Sequence, residues 1–177
     1  MKIFCYGDSN TYGWDPRGFF GGRYDRTWTD ILAEAGHEVS VDAMPGRQIP
    51  FRKRPLDIMC EQFTEHCDLL IIMMGSNDID ATMNVEMVEA RMETLLKTVT
   101  GWQVADRILL LGPPENRVTR EHIALSHEMN DAFAVLAQRF GIEYTDTSGW
   151  DLVLAHDRCH LTAEDQETFA RELVKVI

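Results

Sequence analysis

The sequence is short of positive charge, of cysteine and of long apolar runs, and each shortage excludes something. Its 17 Lys and Arg stand against 29 Asp and Glu, a formal net charge of −12 with a pI near 4.8. Phosphate backbones repel such a chain, so nucleic acid is not an expected partner. The one basic run, Arg52-Lys53-Arg54 with Arg47 close by, reads as a solvated loop. Cys5, Cys60, Cys67 and Cys159 are too sparse for a disulfide framework and are expected to be reduced. No apolar stretch approaches the roughly 20 residues of a membrane span, so no membrane partner is expected. The start, MKIFCYGDSN, has too short an apolar run before its Gly-Asp turn for a signal peptide, so a cytoplasmic location is expected. What remains, 45% hydrophobic and 26% charged residues over 177 positions, suits one globular domain, 1–177.

Strand-like and helix-like stretches alternate along the chain. Short apolar runs closed by turn residues predict strands over 3–6, 38–41, 69–74, 108–111 and 142–144. The run 69–74, apolar at every position, has the pattern of a strand covered on both faces. Helical spacing predicts helices over 27–35, 55–67, 84–99 and 129–140, and a last one starting at the Thr162/Asp165 capping box and burying Phe169, Leu173 and Val176. Met59, Met87, Met92 and Met129 fit core stripes, and His37, His122 and His127 read as surface residues. Five strand–helix repeats imply an α/β fold, a three-layer α/β/α sandwich on a five-stranded parallel sheet in the flavodoxin-like order 2-1-3-4-5.

In such a sheet, ligands sit beyond the carboxyl ends of the strands. Chemically capable residues follow the strands in this chain: Gly7-Asp8-Ser9-Asn10, then Pro45-Gly46-Arg47, then Gly75-Ser76-Asn77-Asp78, then Asp157-Arg158-Cys159-His160. The last strand lies about 14 Å from the first at the usual spacing. A dozen extended residues reach about 40 Å, so the loop before His160 can bring it over Ser9. That set supplies nucleophilic acyl transfer. Ser9, expected on a turn with its hydroxyl facing solvent, needs a base to become nucleophilic. His160 is that base, with Asp157 holding its tautomer. The N–H groups of Ser9 and Gly46 and the Asn77 amide fall on the edge where an oxyanion needs donors. Asn10, Tyr12, Trp14 and Arg47, which flank these blocks, are expected to touch substrate.

The four blocks resemble those of the SGNH hydrolases, or GDSL esterases and lipases, from residue 7 to residue 160. The resemblance implies Ser9 as nucleophile, His160 as base, Asp157 as its acid partner, Gly46 and Asn77 as oxyanion donors, and neither metal nor organic cofactor. In two places the chain departs from the pattern. Asn10 stands where the pattern usually has Leu, and the Asn that often precedes the glycine of the second block is missing, with Ala43-Met44-Pro45 before Gly46.

The expected activity is hydrolysis of small, short-acyl esters, with acyl transfer to alcohols where the pocket disfavours water. A carbohydrate acetylesterase is the same chemistry on a sugar. Outside the enzymes, a flavodoxin-like mononucleotide-binding module would use Asp8-Ser9-Asn10-Thr11-Tyr12-Gly13 for phosphate but leaves His160 and Asn77 without a role. A zinc site would draw on His156, Asp157, Cys159 and His160, a set without a paired Cys-x-x-Cys. The segment 12–28 is the least typical stretch, with Trp28 in the core of the helix over 27–35 and Tyr12, Trp14, Phe19, Phe20 and Tyr24 on a long loop. It is expected to wall the acyl pocket or to mediate a homo-oligomer.

Overall fold

Apolar runs that end in glycine become the central strands. In a computed structural model, which describes residues 1–18, 20–63 and 65–177, β1 (Lys2–Gly7), β4 (Glu38–Ala43), β5 (Cys67–Met73), β6 (Ala105–Gly112) and β7 (Glu143–Asp146) form one sheet. Its order is β4-β1-β5-β6-β7 and every pairing is parallel, which is 2-1-3-4-5 for the five strands of the sheet. Successive side chains of a strand face opposite sides, so each central strand feeds two cores. Ile3, Cys5, Leu69, Ile71, Met73, Leu109 and Leu111 face Trp28 and Leu32 of α2 (Trp28–Glu34) and Phe169 and Leu173 of α7 (Ala163–Leu173). Tyr6, Leu70, Ile72, Ile108 and Leu110 face α3 (Lys53–Glu61), α5 (Val85–Trp102) and α6 (Arg120–Phe140). The remaining elements sit near the strand ends: α1 (Ser9–Tyr12), the antiparallel pair β2 (Trp14–Asp15) and β3 (Gly22–Arg23), and α4 (Ser76–Thr82). No helix among the described residues is long and apolar enough to cross a membrane.

Several local expectations are corrected. The helix expected over 55–67 is α3, which starts at Lys53 and stops at Glu61. Proline in a first turn needs no N–H partner, so Pro55 sits three residues in rather than at the start. Cys67 already belongs to β5, and Phe63 leaves the helix to pack on Phe4 with ring centroids 4.6 Å apart. Val176 lies beyond the end of α7 and Met87 lies on the outer face of α5, both exposed. His122 is not a surface residue; its ring is mostly covered and lies 3.3 Å from Asp80. The long loop after Ser9 is organised by α1 and the β2–β3 pair, and Tyr24 within it is buried while Phe20 is exposed. Phe19 lies outside the described residues.

The turn from β5 into α4 depends on one glycine. Gly75 has φ +127°, and a Cβ there would stand 2.7 Å from Met129 Sδ and 3.2 Å from the Phe133 ring. Gly75→Ala is therefore expected to lower the free energy of unfolding by roughly 1–3 kcal/mol. An unchanged denaturant midpoint would contradict this reading of the turn.

Candidate active site

β1 ends at Gly7, and Asp8 caps the next helix by accepting from Asn10 N–H at 3.0 Å. Ser9 is the first residue of α1, so its N–H is among those that a helix start leaves without an intrahelical partner. Its hydroxyl does not face open solvent as expected: the residue is only 6% exposed. His160 covers it, with Nε2 2.9 Å from Ser9 Oγ. On the other side of the ring, Nδ1 lies 2.7 Å from Asp157 Oδ2. An ionised carboxylate only accepts, so this contact puts the ring proton on Nδ1 and leaves Nε2 to accept from the serine hydroxyl.

Asp157 is built to stay ionised. Burial pushes its pKa up, but the His160 ring and the backbone N–H groups of Cys159 and His160 outweigh that and hold it below the usual carboxylate range. The backbone contacts, both 3.2 Å to Oδ1, also fold residues 157–160 around the carboxylate. A hydrogen-bonded pair this local needs no distant support, whereas the position of the pair over Ser9 does.

The second and third blocks meet beside it. Arg47 N–H donates to Met44 O at 3.1 Å, closing a four-residue turn with Pro45 and then Gly46 at φ +75°. That is the type II pattern, in which the third residue must be glycine-like. A Cβ at Gly46 would meet nothing within 4 Å, and its N–H has no hydrogen-bond partner among the described residues. Asn77, in the first turn of α4, donates from Nδ2 to Arg47 O at 3.1 Å and to Asp8 Oδ2 at 3.3 Å. Its amide is thus fixed between the first and second blocks, and donation to an oxyanion would replace the longer contact, the one to Asp8.

Two residues expected to touch substrate, Arg47 and Asn10, make internal bonds. The Arg47 guanidinium bonds Asp42 Oδ1 at 2.6 Å, Asp42 O at 2.8 Å and Gly7 O at 3.3 Å, and lies over the Tyr6 ring. It straps the Gly46 turn to β4 and β1. Asn10 is buried and its side chain bonds the backbone on both sides of His160. Tyr12 and Trp14 are half-buried. The Trp14 ring lies where a Cβ on Gly21 would be, so it organises the β2–β3 turn, and among the described residues no hydrogen bond links either side chain to Ser9 or His160.

Two carboxylates without an assigned role prove central to the frame. Asp78 is fully buried, bonding Arg91 at 2.6 Å and Ile49 N–H at 2.9 Å, and so joins α4, α5 and the loop after Arg47. Asp8 is equally buried and touches both Asn10 and Asn77. The signal for both was in the sequence: an acidic residue inside a turn flush against an apolar strand has to find donors. Three of the four zinc-type donors converge. Asp157, Cys159 and His160 lie together, but His156 is exposed and outside the group. His160 Nδ1, 3.4 Å from Cys159 Sγ, is already bonded to Asp157, and burial pushes the thiol up to about 12.

A five-stranded all-parallel sheet flanked by helices, with Ser9, Asn77 and His160 beyond its strand ends, is the SGNH hydrolase fold. The chain belongs to the GDSL-like lipase/acylhydrolase family, whose sequence model matches residues 5–167. Among solved structures it is similar to the native aryl esterase of M. smegmatis, with a TM-score of 0.80, 21% identity and 99% of both chains covered. A carbohydrate acetylesterase family member from Sinorhizobium meliloti superposes with a TM-score of 0.83 at 23% identity, over 99% of this chain and 97% of that one. A lipolytic protein of the G-D-S-L family from Veillonella parvula gives 0.75 at 18% identity, over 100% and 98%. No curated protein sequence matches the chain. At these identities the structural likeness establishes the fold.

Burial pushes the Asp8 carboxyl up to about 7, with Asp78 adding to the rise and the Asn10 N–H bond opposing it. Between the usual carboxylate range near 4 and pH 7, the folded chain then holds a proton that the unfolded chain has released. Stability from this group therefore falls as pH rises through that window and is level above it. Asp8→Asn removes this dependence. The stability of the variant relative to the wild type is expected to rise from pH 4 to pH 7, with a slope of at most about 1.4 kcal/mol per pH unit, in urea unfolding. A difference that is constant across the window would contradict a protonated Asp8.

Proposed function

We propose that this hydrolase is a serine esterase that cleaves small, short-acyl carboxylic esters through an acyl-enzyme. The observation that carries the reading is the continuous chain from Ser9 Oγ to His160 Nε2 at 2.9 Å and from His160 Nδ1 to Asp157 at 2.7 Å. Ser9 Oγ attacks the ester carbonyl while its proton passes to Nε2. Asp157 stabilises the imidazolium, and the N–H groups of Ser9 and Gly46 with the Asn77 amide face the developing oxyanion. Collapse expels the alcohol, which takes the proton from His160. Water, or a second alcohol in an acyl transfer, then enters, gives its proton to His160 and attacks the acyl carbon; collapse releases the acyl group as Ser9 Oγ takes that proton back from His160.

Ser9 Oγ has His160 as its only hydrogen-bond partner among the described residues. Ser9→Ala is therefore expected to leave the unfolding midpoint unchanged and to remove hydrolysis of p-nitrophenyl acetate. A folded variant that keeps its activity overturns the assignment.

Substrate size follows from what surrounds the site. The segment after Ser9 folds into a four-residue helix and a pair of two-residue strands, and no helical lid spans the site among the described residues. A chain of more than a few carbons lying over Ser9 would stay in water and gain little of the about 0.8 kcal/mol per buried CH₂. The other space nearby is a cavity of about 580 Å³ under the Gly46 turn, lined by Tyr6, Met44, Ile49, Phe51 and Ile58. Across p-nitrophenyl esters from acetate to decanoate, kcat/KM is expected to peak at about two to four carbons. A maximum at octanoate or beyond would mean that the acyl chain enters that cavity.

A further inference from the structure

The His160 loop reaches Ser9 from the far side of the sheet, and its backbone is costly to hold. Leu154 and Arg158 both lie in the left-handed region, with φ of +65° and +66°. A non-glycine residue there costs roughly 1–2 kcal/mol, so a loop with two such residues needs outside contacts to keep one shape. Leu152, Leu154 and Leu161 anchor it in the core against α7. None of them sets the height or rotation of the imidazole over Ser9.

Asn10 does. It follows Ser9 directly in α1, and its side chain makes two bonds that bracket His160. Nδ2 donates to Cys159 O at 3.1 Å, and Oδ1 accepts from Leu161 N–H at 3.0 Å. The residue is itself immobilised through its backbone. Its N–H donates to Asp8 at 3.0 Å and its carbonyl accepts from Trp28 Nε1 at 3.1 Å, with Trp28 wholly buried. Asn10 is 3% exposed, so these bonds form away from competing water. The carboxamide donates to one peptide and accepts from the next through a single short side chain. Leucine can do neither, and a carboxylate can only accept.

We infer that Asn10 is a positioning residue, which fixes the His160 backbone relative to the residue beside it in sequence, the nucleophile. The inference rests on the Ser9–His160 reading of the site. It also makes a distinction that the substrate-contact expectation does not. A positioning residue acts on proton transfer and hence on kcat, whereas a substrate contact acts first on KM.

The test uses Asn10→Leu and Asn10→Asp in the full chain, with kcat referred to the concentration of sites titrated by an acylating burst, so that unfolded or inactive molecules do not count. Displacing a general base by about an ångström costs up to roughly a hundredfold. Asn10→Leu is expected to lower kcat per titrated site by roughly ten- to a hundredfold, with KM changed by less than about threefold. Asn10→Asp has the shape of the native side chain, and when protonated it again offers one donor and one acceptor. Its activity relative to the wild type is expected to rise as pH is lowered, a response that loss of packing does not give. Wild-type kcat in both variants overturns the proposal, as does a loss confined to KM. If Ser9→Ala stays active, the reading of the site fails; if Ser9→Ala is dead and both Asn10 variants turn over normally, only the role of Asn10 fails.

Discussion

The hydrogen bond between His160 Nε2 and Ser9 Oγ joins residues 151 apart, and the site exists only where that bond can form. A single such bond contributes about 1 kcal/mol net, far too little to draw the two segments together against chain entropy. The surrounding fold does that. β1 lies between β4 and β5, so the loops after all three strands converge. The His160 loop comes from β7 at one edge and is held by burial of Leu152, Leu154 and Leu161, each of which contributes roughly 1.5–3 kcal/mol. Asp165, in the capping box of α7, accepts from Val153, Leu154 and Thr162 N–H and so ties the loop to the helix that follows it.

Three acidic residues around the site take different states because their surroundings differ. Asp8 and Asp78 are buried, and burial raises both. Asp78 has the Arg91 guanidinium to offset part of that, while Asp8 has only amide donors and rises to about 7. Asp157 is partly open to solvent and accepts from three N–H groups, and it alone of the three is held below the usual range. The carboxylate that faces the imidazole is thus held below the usual range, and the one beside the Asn77 amide is raised to about 7.

Much of this was legible in the sequence. The strands announced themselves because their two faces are both covered, so 69–74 and 108–111 are unbroken apolar runs, and alternation with helices then implied the strand order. Asn84, Thr162 and Gly141 marked helix ends through short-range capping, which sequence records directly. The errors lie where a distant partner decides. Phe63 leaves α3 because Phe4 awaits it, and Met87 fits the helical stripe but faces outward. Arg47 looked like a surface cation near a basic run, yet Asp42 and the Tyr6 ring enclose it. Asn10 is the clearest case. Its partners are 149 and 151 residues away, and nothing local distinguishes a backbone clamp from a substrate contact.

The most direct measurement is intact mass spectrometry of the native chain after reaction with a fluorophosphonate, followed by peptide mapping. Loss of fluoride and formation of an O–P bond should give one adduct per chain, located on Ser9 and blocked by prior acid unfolding. A chain that stays unmodified while cleaving esters, or an adduct at any other residue, would contradict the site described.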